Sequence, residues 1–212
     1  THFASSDSSD KKMTHSQYEQ FCLFIRQLEE NGVKIPLHHC DNSAGIIDVP
    51  EDSMDMVRAG ISLYGMYPSD EVNKKSVMLS PALSMKSHII YLKEVDAGQG
   101  ISYGSTFVTK RRTKVATVPV GYGDGYQRNL SNRGYVLIRG KKVNIIGRVC
   151  MDQFMVDVTD LEEVCEGDEV TLIGTDGANT ITTEELAELA GTFNYEFVCD
   201  LGKRVPRVYY HH

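Results

Sequence analysis

The sequence predicts an α/β segment over residues 1–70 followed by an all-β domain with one short helix over residues 71–212. Three observations point there. Apolar residues in the first third recur at helical spacing and alternate with short buried runs. Between Pro68 and Pro81 the chain turns polar, through Ser69, Asp70, Glu71, Asn73, Lys74 and Lys75, as a linker does. Beyond that stretch the period changes, and short β-branched runs follow one another between glycine-containing turns.

The elements follow in order. Thr14-His15-Ser16-Gln17 has the spacing of a capping box, so a helix is predicted to start there. Phe21, Phe24, Ile25 and Leu28 form its apolar stripe, and Asn31-Gly32 stops it. Val33 to His39 suits a buried strand that ends in the polar cluster His39-Cys40-Asp41-Asn42-Ser43. Met54 to Val57 repeats the pattern and leads into Arg58-Ala59-Gly60-Ile61. Polar residues just after buried strands, with a helix between, are what an α/β barrel or a doubly wound sheet presents at its working face. About three strands and one or two helices can neither close a barrel nor cover both faces of a parallel sheet. The first part therefore reads as truncated, and Thr1 stands where an initiator Met is absent.

The second part is more regular. Strands are predicted at His88 to Val95, Lys114 to Val120, Tyr135 to Ile138, Lys142 to Ile146, Phe154 to Val158 and Glu169 to Ile173. One helix interrupts them: Thr182 and Glu185 form a capping box, Leu186 and Leu189 face inward, and Gly191 closes it.

Composition narrows the function classes. Apolar residues make up 41% and charged residues 24%, and no apolar run approaches the roughly 18 residues of a spanning helix. With 22 basic against 29 acidic residues the net charge is −7, and the Lys110-Arg111-Arg112 run is short. Nucleic acid and anionic membranes are therefore poor partners. Cys22, Cys40, Cys150, Cys165 and Cys199 are odd in number and form no CxxC pair. That argues against a disulfide framework or a structural zinc site and predicts no metal and a reducing, cytoplasmic location. The terminal pair His211-His212 looks like the start of a purification tag.

Several clusters could carry chemistry. Asn42-Ser43 and Gly60-Ile61 can form an anion cradle, although ordinary turn chemistry explains them by itself. Tyr103, between Gly100 and Gly104, can carry a proton only if nearby positive charge lowers its pKa. Gly121-Tyr122-Gly123-Asp124-Gly125 is glycine-rich but lacks the spacing of a dinucleotide or phosphate loop, so a close-approach turn is expected. Cys150 is expected to be a packed thiol, because no His lies near it in sequence.

Together these stretches resemble the alanine racemase family, pyridoxal-phosphate-dependent amino acid racemases built from an N-terminal (β/α)8 barrel and a C-terminal β domain. The matching runs are Thr1-His2-Phe3-Ala4, His39 to Ala44, Met56 to Gly65, Pro81-Ala82-Leu83-Ser84, Ser102-Tyr103-Gly104-Ser105-Thr106, Gly121 to Gly125, Gly147 to Asp152 and Arg204-Val205-Pro206-Arg207. The resemblance spans nearly the whole chain. It implies a partial barrel, its last strands only, followed by the β domain. It also implies interconversion of L- and D-alanine by two bases through a pyridoxal phosphate imine, supplying D-alanine for peptidoglycan.

The implied roles fall on particular residues. Tyr103 would be one base, acting in the site of the partner subunit, so that a homodimer is needed. Arg58 would lie beside the pyridine nitrogen, and His2 would link Arg58 to Tyr103. Ser43, Gly60 and Ile61 would hold the cofactor phosphate. Met151 would offer its backbone N–H to the carboxylate of a small amino acid substrate. Tyr122, Asp7, Arg128 and Arg148 match residues of the substrate path.

Two departures sharpen the picture. The family's other base is a Schiff-base lysine in a Val-Lys-Ala-Asn-x-Tyr-Gly-like setting, which this sequence lacks. The expectation is a chain that enters the barrel at its sixth strand and is inactive alone. Some members also carry a phosphate-binding Tyr before Arg-Val-Pro-Arg, where this chain has Lys203. Lys203 could reach a phosphate as a point charge or leave room for a more polar substrate, which makes the serine/alanine racemase domain of the vancomycin-resistance type a rival. Other rivals are a non-catalytic dimerising fragment and the decarboxylases that share this architecture, against which the Ser102-Tyr103-Gly104 and Cys150-Met151-Asp152 runs speak.

Overall fold

The computed structural model describes residues 1–210, so His211 and His212 lie outside the described residues. The chain divides into two compact units, Thr1–Ala82 and the part from Leu83 onward. The polar stretch from Pro68 to Pro81 belongs to the first.

The first unit holds α1 (Lys12–Glu30) and α2 (Ser43–Asp48), with 3-10 turns at Pro50–Asp52 and Ile61–Tyr64. α1 begins two residues ahead of the expected cap, so Thr14 lies buried inside the helix and caps nothing. Lys11 occupies the N-cap instead, its ammonium donating to the carbonyls of Ser6 (2.6 Å) and Ser8 (2.7 Å) and pairing with Asp48 (2.7 Å). Gln17 is used for a different tie. Its Nε2 donates to Thr1 Oγ1 (3.0 Å) and the His2 carbonyl (2.7 Å), and its Oε1 accepts from Ala4 N–H (3.0 Å). The helix ends at Asn31-Gly32 as expected, with Gly32 at φ +79°.

The strands expected at Val33 to His39 and Met54 to Val57 do not form among the described residues. Val33, Ile35 and Leu37 are 48%, 44% and 58% exposed. A strand has no internal hydrogen bonds and exists only through a backbone ladder, and neither run carries one among the described residues: His38 reaches the second run only through the Asp55 carboxylate (2.8 Å). The α/β expectation for residues 1–70 is thus met in its helices and not in its strands. Two small apolar clusters hold the unit: Phe3, Cys40 and Val49 beneath Tyr18 and Phe21, and Ala44, Ile47 and Val72 beneath Tyr67 and Leu79.

The second unit contains β1 (Met85–His88), β2 (Tyr91–Val95), β3 (Gly100–Ile101), β4 (Phe107–Val108), β5 (Thr113–Val118), β6 (Tyr135–Ile138), β7 (Lys141–Asn144), β8 (Phe154–Asp157), β9 (Glu169–Asp176) and β10 (Asn179–Ile181). α3 (Thr183–Ala190) and α4 (Asn194–Asp200) follow. One antiparallel sheet runs β1-β9-β6-β7 with β10 on β9, a second runs β2-β5-β8, and β3 pairs β4. β6 turns into β7 through Arg139 (φ +52°) and Gly140 (φ +72°), and two successive positive φ values suit the right-handed twist of a tight hairpin. The run read as one strand, His88 to Val95, is divided between sheets: His88 pairs Glu169 and Tyr91 pairs Thr117. Burial alternation does not reveal such a crossing.

One large core runs through this unit, from Val136, Leu137 and Ile138 through Phe154 and Val156 to Val170 and Leu172, and a smaller cluster gathers Ile101, Val115 and Ile146. α3 starts and stops where expected, through a single cap bond: Thr182 Oγ1 accepts from Glu185 N–H (3.1 Å), and Gly191 takes the left-handed conformation. α4 was not foreseen, since seven residues show little periodicity. Its Phe197 is fully buried and meets Tyr126 edge-on at 6.3 Å, while Tyr126 stacks on Phe154 at 5.3 Å.

Candidate functional site

In the first unit, α2 supplies a cradle. Asn42 caps the helix, its Oδ1 accepting from the amides of Ala44 (3.1 Å) and Gly45 (3.0 Å) and from Ser6 Oγ (2.7 Å). That cap sets the first helical residue, Ser43, which is 2% exposed. Ser43 Oγ accepts from the amides of Gly60 (2.9 Å) and Ser62 (3.3 Å) and from Ser62 Oγ (3.1 Å). A hydroxyl with its lone pairs so occupied still has one proton to donate. A Cβ on Gly60 would meet nothing nearer than Ser43 Oγ, at 3.6 Å, so the space over this backbone is open. Ile61 is buried and heads the 3-10 turn that follows. Ser43, Gly60 and Ile61 therefore come together at one spot although 17 residues separate the first two.

Arg58 lies two residues before Gly60 and is half-buried. Its amide donates to the Asp41 carbonyl (3.0 Å), which ties it to the residue before the Asn42 cap. Its Nη2 donates to the Thr1 carbonyl (2.8 Å), the Cys40 carbonyl (3.4 Å) and His2 Nδ1 (2.9 Å). A guanidinium has donors only, so His2 Nδ1 accepts and the imidazole proton sits on Nε2, facing away from Arg58. Arg58 Nη1 is buried and has no hydrogen-bond partner. A buried cationic N–H without an acceptor is costly, and such a group marks a place where an acceptor is missing.

Neighbouring titratable groups are quiet. Burial, with the Asp41 carboxylate second, pushes the Cys40 thiol up to about 11, so it is no nucleophile. Burial likewise raises Asp41, against the Ser53 hydroxyl that donates to it at 2.5 Å. Asp7 is exposed, and its carbonyl accepts from Ser69 Oγ (2.6 Å).

In the second unit, three loops meet. Tyr103 opens a short left-handed turn and is 72% exposed. Ser102 before it has φ +63° and ψ −175°, a region that non-glycine residues enter at a cost of about 1–3 kcal/mol. The Gly147–Asp152 loop carries Arg148, half-buried, and Met151, 52% exposed. The Gly121–Gly125 turn carries Tyr122, 45% exposed. Tyr122 N–H donates to the Cys150 carbonyl (3.0 Å) and Gly123 N–H to the Met151 carbonyl (2.9 Å). A Cβ on Gly121 would lie 2.2 Å from the Cys150 carbonyl oxygen, so the expected close-approach turn is present and requires glycine. Tyr122 and Arg128 also share a cleft of about 550 Å³ whose other wall includes Thr192, Glu196 and Asp200.

Arg204, to which residue pattern assigns no role, joins two of these loops. Its Nε pairs with Asp124 (3.2 Å) and its Nη2 with Asp152 (2.6 Å), one carboxylate from each loop. The available signal was an arginine in a motif with two acidic partners far away in sequence, which no spacing rule connects. Lys203, beside it, is exposed. Cys150 is half-buried, with its Sγ 3.4 Å from Ser102 Oγ.

Comparison with known proteins adds a name to this arrangement. A family model described as alanine racemase, C-terminal domain, matches residues 82–209, and one described as alanine racemase, N-terminal domain, matches residues 1–68. An alanine racemase of Methanococcus maripaludis is 51% identical over 100% of this chain and 56% of its own length. One of Halothermothrix orenii is 52% identical over 99% and 55%. The solved alanine racemase of Bacillus anthracis with bound L-Ala-P superposes with a TM-score of 0.95 at 40% identity, covering 100% of this chain and 54% of that one. The chain thus spans little more than half the length of these relatives.

Proposed function

This chain belongs to the alanine racemase family, and on that footing we propose that it forms the later part of an enzyme interconverting L- and D-alanine with pyridoxal phosphate. The observation that carries the proposal is Arg58, whose Nη1 is buried without an acceptor while its Nη2 is held by Thr1 and His2. A heteroaromatic ring nitrogen is an acceptor of the right kind for that donor. The Ser43 hydroxyl, with its proton still to give, and the open backbone at Gly60 and Ile61 suit the phosphate of the same molecule.

Bound pyridoxal phosphate supplies the electron sink that makes an amino acid Cα–H acidic. The residues of this chain supply part of the rest. Arg58, whose guanidinium is a hydrogen-bond donor only, would hold the ring nitrogen by a hydrogen bond rather than by proton transfer. Tyr103 moves a proton on one face of Cα, in the site of the partner subunit. His2, with its proton on Nε2, extends the chain of donors from Arg58 toward that phenol. Met151 N–H receives the substrate carboxylate, and Tyr122, Asp7, Arg128 and Arg148 line the way in. Lys203 adds positive charge for the phosphate.

In this reading residues 1–70 are the last part of a (β/α)8 barrel, and the exposed Val33, Ile35 and Leu37 are covered once the rest of the barrel lies beside them. The lysine that binds the cofactor and serves as second base comes from outside these 212 residues, so the chain alone does not turn over.

Racemisation of L-alanine by the dimeric holoenzyme tests the proposal. Tyr103→Phe is expected to lower the rate by about 10²–10⁴, the usual worth of a positioned acid–base group. Cofactor absorbance should persist. Undiminished turnover in Tyr103→Phe would overturn the assignment. Serine turnover equal to that of alanine would shift the reading to the serine/alanine racemases, which Lys203 favours.

A further inference from the structure

We propose that Ser102 is a positioning residue that aims Tyr103, an inference that deepens the proposed racemase reading and rests on it. Tyr103 is 72% exposed, so packing around its own ring does not set where the phenol points. Its direction is inherited from the backbone, and that backbone is unusual. Ser102 has φ +63° and ψ −175°, Gly104 φ +71° and Ser105 φ +46°. Of these, Ser102 sits in a region that is essentially reserved for glycine, and it stays there only if its surroundings hold it.

Those surroundings are specific. Ser102 Oγ donates to the Arg148 carbonyl at 2.7 Å. The Cys150 thiol lies 3.4 Å from the same hydroxyl and 3.6 Å from the same carbonyl, so three polar groups meet at this point. At the start of the Gly147–Asp152 loop, a Cβ at Gly147 would lie 2.6 Å from the Ile101 carbonyl oxygen and 2.7 Å from Ser102 Cβ, so the two segments pack against each other closely. Gly147 N–H in turn donates to Asn132 Oδ1 at 2.6 Å, whose Nδ2 donates to Thr106 Oγ1 at 3.1 Å. The loop carrying Tyr103 is therefore clasped at both ends to the loop carrying Arg148 and Met151. The Ser102 hydroxyl is the part of the clasp that touches the strained residue itself. Proton donor and carboxylate site are thereby held in one rigid frame, where small misplacements are expensive.

Two variants of the holoenzyme separate this from a merely structural role. Ser102→Gly accepts the positive φ and loses only the hydrogen bond, whereas Ser102→Ala loses the bond and keeps the strain. Ser102→Ala is expected to lower kcat/KM for alanine by about tenfold to a hundredfold, with Ser102→Gly in between. The primary deuterium isotope effect with Cα-deuterated alanine should rise for the one enantiomer whose proton Tyr103 handles and not for the other. Unchanged kcat/KM in Ser102→Ala would overturn the proposal. So would activity that falls only in step with melting temperature, with both isotope effects unaltered. Absence of turnover in the unsubstituted holoenzyme would instead sink the racemase reading. The clasp is then still decided by melting: Ser102→Ala should melt below Ser102→Gly, and equal melting temperatures would refute it.

Discussion

The two units bury their apolar residues in very different ways. From Leu83 onward, one continuous core joins both larger sheets and α3, with Leu137, Ile138, Phe154, Leu172 and Phe197 almost wholly removed from water. In Thr1–Ala82 the apolar residues form two small clusters, and Leu23, Phe24, Val33, Ile35 and Leu37 stay between 44% and 58% exposed. Burial is the main favourable term in folding, so the second unit has its stability inside itself while the first has apolar surface left over. Yet the first unit carries the Arg58–His2 pair and the Ser43–Gly60 cradle. Hydrogen bonds to backbone hold that chemistry in place, and a large core is not what positions it.

The strongest way to break this comparison is a pair of truncations. Leu172→Ala, fully buried in β9, should cost about 2–5 kcal/mol in urea denaturation. Phe24→Ala, at 55% exposure in α1, should fall within about 0.5 kcal/mol of zero. Similar losses at the two positions would mean the units do not differ as described.

A smaller effect sharpens it through the two helix caps. Asn42 accepts two amides and a serine hydroxyl, and Thr182 accepts one amide. Asn42→Ala should therefore cost nearer the upper end of the range of about 0.5–2 kcal/mol, and Thr182→Ala nearer the middle. Hydrogen exchange resolved by region should show protection lost around Ser43 in the first variant and around Leu186 in the second. Exchange spreading across both units in either variant would contradict their separateness.

The last test is a pH dependence centred on Cys40 in the first unit. Cys40 is held at about 11 in the folded state, above the ordinary thiol value of 9.0. Folding thus favours the protonated thiol: its contribution is complete below pH 9 and is lost as pH rises from 9 to 11. Protection of residues near Cys40 should decline over that window and flatten in Cys40→Ala, whereas any decline in the second unit, where burial likewise raises Tyr126, should be the same with and without that substitution. A slope that persists in Cys40→Ala would assign the titration elsewhere.

Legibility in the sequence tracked how local the controlling physics was. The α3 boundaries were readable because Thr182, Glu185 and Gly191 cap through neighbours three or four residues away. Thr14-x-x-Gln17 had the same signature and failed, because Lys11 found carbonyls and a carboxylate that started α1 earlier. His88 to Val95 was one run by composition and two strands by pairing. Candidate site residues such as Ser43 and Arg58 are visible through family resemblance, but the unpartnered Nη1, the tautomer of His2 and the bridge from Arg204 to Asp124 and Asp152 are not.

By itself the sequence determined the change from helical to β-branched patterning, the capped α3 and the family motifs, since each is written in residue type at short spacing. Only the tertiary structure decided which runs became strands, where Ser102 is strained and which donors lack acceptors. Pairing, backbone strain and hydrogen-bond satisfaction depend on what lies opposite a residue, and that neighbour is usually distant in sequence.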